Sequence, residues 1–304
     1  MRWQKLGRVY VASGRHGWDH SHATCPTPLV LPEGAVRVIF AAADSEGVSR
    51  LGYVDLDPSD LLKIVNVGSD PSLDIGEDGT FDDNGINPVS LVECDGRLRL
   101  YYTGFQRHRK IPYTLFSGVA DSTDCGATFR RLQRVPVLDR SDSELYFRTA
   151  PCVMRVGDEW HAWYVAGDQW ITTPRGAKPV YAVRRAVSAD GVNWPAAGKL
   201  CMAPDLEKGE IGFGRPFVLA EDGIFKMWYS VRRDWGYTIS YAESGDGLAW
   251  TERSEKVGIG VSASGWDSEM LCFGSILDID SGRYMLYNGN GYGRTGFGVA
   301  VLDE

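Results

Sequence analysis

One pattern recurs along the chain, and it constrains the fold more than any other feature. A proline opens an apolar run, an acidic or glycine turn follows, and an aromatic run completes the pair. The copies read Pro28-LVLPEGAVRVIFAA, Pro88-VSLVECDGRLRLYYTG, Pro151-CVMRVGDEWHAWYVAG and Pro216-FVLAEDGIFKMWYS. A fifth copy, Ser275-ILDIDSGRYMLYNG, lacks the proline. Successive landmarks lie about 60 residues apart, the signature of a repeat architecture. Turns such as Asp95-Gly96, Asp222-Gly223 and Ser281-Gly282 supply residues that tolerate the positive φ a tight hairpin needs.

Each copy continues into a third run of small and aromatic residues, such as YTLFSGVADS (113–122), YAVRRAVSAD (181–190), YTISYAESGD (237–246) and RTGFGVAVLD (294–303). Two copies then pass through Asp190-Gly191 to Trp194, or Asp246-Gly247 to Trp250, into a fourth run. Four antiparallel strands repeated radially make propeller blades. The spacing therefore predicts an all-β, five-bladed propeller in one domain, 1–304. The last copy stops after its third strand, while Trp3-Gln-Lys-Leu-Gly-Arg-Val9 resembles the missing fourth. The N-terminus is expected to complete the last blade, which removes two free sheet edges.

Composition excludes the competing classes. The 304 residues include 36 Gly and 14 Pro, and the longest stretch free of both is the 14-residue segment Val137–Ala150. Helix bundles, coiled coils and doubly wound α/β folds need repeated longer runs. A net charge of −8 without a Lys/Arg cluster speaks against nucleic-acid or anionic-membrane partners. No stretch has the length or apolarity of a membrane span. The opening MRWQKLGRVYVASG lacks the apolar core of a signal peptide, so a cytoplasmic location is expected. Cys25, Cys94, Cys125, Cys152, Cys201 and Cys272 form no CxxC pair and read as free, mostly buried thiols.

The segments FDDNGINP (81–88), GRPFVLAEDGIFKMWYSVRRD (214–234), YTISYAESGDGLAW (237–250), GWDSEMLCFGS (265–275) and YNGNGYGRTGFGVAVL (287–302) resemble the five-bladed glycosidase propellers. These include the arabinanase and xylosidase, levanase and invertase, and mannoside phosphorylase families. The likeness spans the whole chain and is nearest to glycosidase-like proteins from bacterial surface-polysaccharide gene clusters. It implies an enzyme that cleaves or transfers a glycosidic bond on a small saccharide or sugar phosphate, in glycan or sugar-precursor metabolism. Two other readings stay open: a sugar-binding propeller without turnover, and non-glycosidic chemistry on a small polar metabolite.

In such a fold, residues just before each repeat landmark converge on one mouth. They are Trp18-Asp19-His20-Ser21-His22, Phe81-Asp82-Asp83-Asn84, Glu144 to Arg148, Glu210 to Arg215, and Trp266-Asp267-Ser268-Glu269. An acid thus recurs in every copy. Glycoside cleavage needs one carboxyl group to protonate the leaving oxygen and a second to activate water or attack the sugar. Glu210 and Glu269 are the candidate acids, with Asp83 or Asp82 as base or nucleophile and Asp19 next. Asp also caps turns, so each has an ordinary structural role available.

Arg148 and Arg215 can grip an anionic substrate bidentately or neutralise these acids. His20 and His22 alternate on an extended segment and suit substrate hydrogen bonding or proton transfer. No third ligand completes a metal site with them, and no metal is expected. Trp266 and Tyr292 are candidate sugar platforms, with Asp267 and Asn290 beside the pocket. The Arg232-Arg233 pair reads as solvated charge. No GxSxG, HExxH or dinucleotide fingerprint occurs, so no cofactor is expected.

Overall fold

The computed structural model describes residues 1–303, apart from the side chain of residue 168. Strand β1 (Arg2–Tyr10) opens the chain. Next, β2 (Ser21–Val30), β3 (Val36–Ala43), β4 (Ser49–Asp57) and β5 (Asp60–Val67) pair antiparallel in that order. The same order holds for β6 (Ile86–Cys94), β7 (Arg97–Arg107), β8 (Tyr113–Ser122) and β9 (Arg130–Arg131). It recurs in β10 (Phe147–Val156), β11 (Glu159–Thr173), β12 (Gly176–Ser188) and β13 (Lys199–Met202). A further group is β14 (Gly212–Glu221), β15 (Ile224–Arg233), β16 (Gly236–Ser244) and β17 (Thr251–Glu252).

Finally, β18 (Cys272–Ile279), β19 (Gly282–Asn288) and β20 (Phe297–Asp303) take β1 as their fourth strand, with Trp3 opposite Leu302. The N-terminal strand therefore sits where the repeat expects it. Short parallel bridges, Phe147 to Leu115 and Tyr181 to Gly212, join neighbouring groups. No helix among the described residues is long and apolar enough to cross a membrane.

The second strand of each group is apolar on both faces, because each face enters a different core. In β3, Val36, Val38, Phe40 and Ala42 pack in one cluster, while Ile39 and Ala41 pack in another. Alternation with period two makes this division automatic. Tyr102 and Tyr101 divide in the same way, as do Tyr229 and Trp228. Each core thus joins one group to the next. The cluster holding β3 also contains Leu277, Leu286, Phe297 and Val299, so the last group packs back onto the first.

The innermost strands share a β-bulge. Register slips between Thr24 and Thr27, Pro88 and Ser90, Thr149 and Cys152, Gly214 and Phe217, and Cys272 and Ser275. Cys25, Ala150, Arg215 and Phe273 adopt left-handed φ of 55°, 50°, 41° and 58° at these slips. A bulge leaves a residue outside the ladder, so the following proline loses no needed N–H. This corrects the landmark in two copies. The first copy is aligned by Pro26, not Pro28, and the last by Gly274, not Ser275, because the bulge sets the register.

The turn chemistry is as the sequence suggests at Asp95-Gly96 and Asp222-Gly223, where both residues have positive φ. In the Asp190 and Asp246 loops, a serine two residues upstream accepts from the following glycine amide. The Asp accepts two further amides, which closes the connection to the fourth strand. A third copy, Ser122 to Thr128, is spaced one residue wider and was not evident from the repeat. Segment 61–66 lies within strand β5. All six cysteines are free thiols, with Cys25, Cys152 and Cys272 buried and the others half-buried.

Candidate functional site

The bulge residues Cys25, Ala150, Arg215 and Phe273, with Asn87 before Pro88 at the matching place in β6, line a central cavity of about 100 Å³. The bulge aims the first four inward, since the extra residue is turned out of the ladder; Asn87 stays paired with Thr103. Thr103, Thr149, Tyr181 and Tyr237 add polar atoms to the wall. No carboxylate among the described residues lines it.

Arg215 is buried and crosses between groups. Its Nη1 donates to Phe273 O at 2.5 Å, and its Nη2 donates to Pro26 O at 2.9 Å and Thr27 Oγ1 at 2.8 Å. Burial without a carboxylate partner pulls its pKa below the usual guanidinium value. Burial pushes the thiols of Cys25, Cys152 and Cys272 up, so they remain protonated. Of the two roles open to Arg215, neutralising neighbouring acids is not the one it takes. It ties the fourth group to the first and last.

The recurrent acids lie away from this cavity. Asp82 accepts from Tyr102 Oη at 2.9 Å and Arg131 Nε at 2.8 Å. Glu144 accepts from Tyr164 Oη at 2.8 Å and pairs with Arg148 Nε at 2.6 Å. Asp267 accepts from Lys5 Nζ at 2.6 Å and Tyr287 Oη at 3.1 Å. All three are buried. Each pins the loop before an innermost strand to the tyrosine of the second strand, with a cation completing the charge balance.

In the first group Phe40 stands where the tyrosine would be, and Asp19 takes Ser13 Oγ and the His16 amide, both at 2.8 Å. Arg148 is held by Glu144 and by the carbonyls of Asp139 and Pro195, so it is a partner of the acid. The aromatic beside these acids is packed too. Trp18 lies on Gly52, Phe81 on Gly104 and Trp266 on Gly289 and Gly298. Trp266 also stacks on Tyr287 at 5.3 Å between ring centroids.

Glu210 is not part of this series. Its Oε1 pairs with Arg233 at 3.3 Å and its Oε2 accepts from the Asp205 amide at 3.3 Å. Asp83 accepts the Gly79 amide on Oδ2 at 2.8 Å, and its buried Oδ1 has no partner. Glu269 is exposed, and its side chain makes no hydrogen bond among the described residues. The three acids share no hydrogen-bond partner, and none lines the central cavity.

His20 is exposed and His22 is half-buried with Nδ1 3.0 Å from Ser21 Oγ. Burial, then the charge of Arg294, lowers the His22 pKa, which favours the neutral ring at neutral pH. No group of three or more His, Cys, Asp or Glu among the described residues is placed to hold a metal. Asn290 staples the last loop: its Oδ1 accepts the Glu269 amide at 2.8 Å and the Met270 amide at 3.3 Å. Tyr292 is 40% exposed and stands edge-on to Tyr237 at 5.7 Å.

Arg232, read from sequence as solvated, is only 9% exposed. It sits opposite Tyr237 in the β15–β16 ladder and lies 5.7 Å from the Tyr181 ring and 5.8 Å from the Tyr237 ring. Its one side-chain hydrogen bond is a long contact to Tyr181 Oη at 3.5 Å, and no carboxylate pairs with it among the described residues. Burial raises the Tyr181 and Tyr237 pKa values, so both phenols stay protonated. A cation framed by aromatic rings and short of acceptors therefore flanks the central cavity. The alternation of β15 carried the only sequence signal: Arg232 shares a face with Trp228 and Ser230, Arg233 does not.

No protein-family model matches the chain. It is 34% identical over 305 residues to "Uncharacterized protein Rv1502" of Mycobacterium tuberculosis, covering 100% of both chains. Its fold is shared with a glycosyl hydrolase from Bacteroides ovatus, at TM-score 0.75 and 13% identity, covering 99% of this chain and 93% of that one. It is also shared with a structure described under the GH130 family of mannoside phosphorylases, which "contains glycoside hydrolases that target beta-1,2 mannosidic linkages in Candida mannan". There the TM-score is 0.71 at 12% identity, covering 99% and 93%. The likeness to glycosidase propellers drawn from sequence thus holds at the level of fold.

Proposed function

The chain belongs to the same family as the Mycobacterium tuberculosis protein Rv1502, and from that premise we propose that it is a glycan-processing enzyme of glycoside-hydrolase type. The strand groups are the blades of one closed five-bladed propeller domain, residues 1–304. The observation that carries the reading is the match to glycosidase structures over 99% of the chain. Fold likeness alone does not transfer an activity, so the residues must be argued separately.

We assign the acid–base pair to Asp83 and Glu269, because each keeps an oxygen free of partners. Asp19 and Glu210 have both oxygens engaged. Glu269 is the acid that protonates the glycosidic oxygen. Asp83 is the base that takes a proton from the attacking water, or the nucleophile that attacks the anomeric carbon itself. Their separation with substrate bound sets the outcome: roughly 6.5–9.5 Å for inversion, about 5–5.5 Å for retention. We assign sugar binding to His22, Arg232 and Tyr292, supported for Arg232 and Tyr292 by their contacts with Tyr237 of the cavity wall. The substrate is a small saccharide or sugar phosphate in a cytoplasmic polysaccharide or precursor route, by hydrolysis or phosphorolysis.

The test is turnover on a panel of aryl glycosides, with and without phosphate. Asp83→Asn and Glu269→Gln should each lower kcat at least about a hundredfold, the usual scale of acid–base assistance, without a change in Tm. Unchanged kcat in both variants would sink the assignment.

A second reading is a sugar-binding propeller without turnover. It is favoured by a cavity lining that, among the described residues, holds no carboxylate. It expects saturable glycan binding, no product with any glycoside, and little change in affinity in either variant.

A further inference from the structure

We propose that a pocket on the rim, between the β7–β8 connection and the segment entering β10, is an oxyanion subsite for an acidic substituent on the saccharide. The inference rests on the saccharide reading above. The pocket has a volume of about 340 Å³ and is lined by His108, Arg109, Lys110, Thr114, Arg140 and Tyr146, among others.

Its charge is one-sided. Arg109, Lys110 and Arg140 make no ion pair among the described residues, whereas Arg50, Arg99, Arg131 and Arg148 all pair with carboxylates. The acids nearby in sequence are otherwise placed. Glu144 belongs to Tyr164 and Arg148, and Asp139 Oδ1 accepts the backbone amide of Arg140 at 2.7 Å. Asp142 makes no ion pair with any of the three. In a chain of net charge −8, this is a local reversal of sign, and it concentrates anions where the rest of the surface repels them.

Arg140 and His108 are also held in position. The Arg140 guanidinium lies 5.1 Å over the Phe116 ring. His108 Nε2 sits 2.8 Å from Thr114 Oγ1, and the His108 amide donates to Pro112 O at 3.3 Å, which closes the turn. The other ring nitrogen of His108 makes no hydrogen bond among the described residues. Arginine forks grip planar or tetrahedral oxyanions bidentately, and lysine adds a compact point charge. Tyr146 offers an aromatic wall to the sugar carrying the anion.

The pocket backs onto the central cavity. Thr114 lines the rim pocket while the next residue, Leu115, lines the cavity. The Leu115 amide donates to Tyr146 O at 3.1 Å, which joins the two walls. A saccharide at the mouth can therefore place a phosphoryl or carboxylate substituent on the rim while its ring stays near the axis.

The experiment is calorimetric titration of the full chain at constant ionic strength with inorganic phosphate, glucuronate and glucose. Arg140→Gln and Lys110→Gln serve as variants, since both side chains lie on the surface and their removal should leave Tm unchanged. At least one anion should bind saturably to the wild type, at least tenfold more weakly to either variant, and glucose should not respond to the substitutions. Stronger binding of phosphate identifies a phosphoryl substituent; stronger binding of glucuronate identifies a carboxylate. No anion binding, or equal binding in wild type and variants, overturns the proposal. Because this readout needs no turnover, loss of the glycosidase reading would leave it standing, and its own failure would leave Asp83 and Glu269 untouched.

Discussion

Tyr164 donates from Oη to both carboxylate oxygens of Glu144, at 3.1 and 2.8 Å, across 20 residues of chain. The pair locks the loop before β10 onto the second strand of its own group, and Asp82 with Tyr102 and Asp267 with Tyr287 repeat it. A regular series of acids, which in the sequence suggests a converging catalytic set, is thus in large part a regular series of loop anchors.

These anchors should dominate stability. Glu144→Gln leaves the buried Arg148 guanidinium without its charge partner, and should cost about 3–5 kcal/mol. Tyr164→Phe removes a hydrogen bond to a buried carboxylate, and should cost about 1–3 kcal/mol. Denaturant unfolding of the two variants measures both. Losses under about 0.5 kcal/mol in both, the range of ordinary surface substitutions, would show that the acid is not an anchor.

Acid stability should depend on Glu221. Its carboxylate joins adjacent groups through Arg283, at 2.8 Å on each oxygen, and Lys226 at 2.6 Å. The Arg283 hydrogen bonds lead in holding its pKa down to about 2 against an ordinary 4.5. The folded value is depressed, so the stabilisation is fully present above about 4.5 and is lost as pH falls toward about 2. Glu221→Gln should therefore flatten the fall of Tm across that window. A wild-type acid limb in the variant would exclude this linkage.

Removing residues 1–10 should open the molecule. The deletion takes away β1, exposes the edge of β20, and uncovers apolar surface now covered by Trp3, Val9 and Tyr10. Bare edges template association. Concentration-dependent oligomers in light scattering and a lower Tm are expected. A monodisperse deletion variant with unchanged Tm would argue against closure by the N-terminal strand.

Arg232 and its neighbour Arg233 should behave differently. Arg232→Gln should weaken binding of the saccharide at least tenfold, seen as a raised KM, because it removes the cation framed by Tyr181 and Tyr237. Arg233→Gln removes the partner of Glu210 and a hydrogen bond to Thr238, and should change Tm rather than KM. Equal effects from both would place Arg232 outside the binding mouth.

The chain order of strands was legible because it is written locally. Positive-φ pairs such as Asp95-Gly96 fix hairpins, and period-two alternation fixes which residues of β3 or β7 are core. The fourth strand supplied by the N-terminus was legible for the same reason: Trp3 repeats a local pattern. The site was less legible. Glu210 and Glu269 both stand shortly before an innermost strand, yet one is ion-paired and the other is exposed. The rim pocket was missed because Arg140 reaches it from the segment entering β10, distant in sequence from His108, Arg109 and Lys110.

By itself, then, the sequence determined the all-β character, the hairpins and the pairing order, since those depend on turns and alternation within a few residues. Tertiary structure alone decided that Pro26 rather than Pro28 marks the first bulge, that Asp82, Glu144 and Asp267 serve tyrosines, and that Arg232 is buried. Each of these depends on partners brought from distant segments, and a side chain's role is set by the charges and rings it meets there.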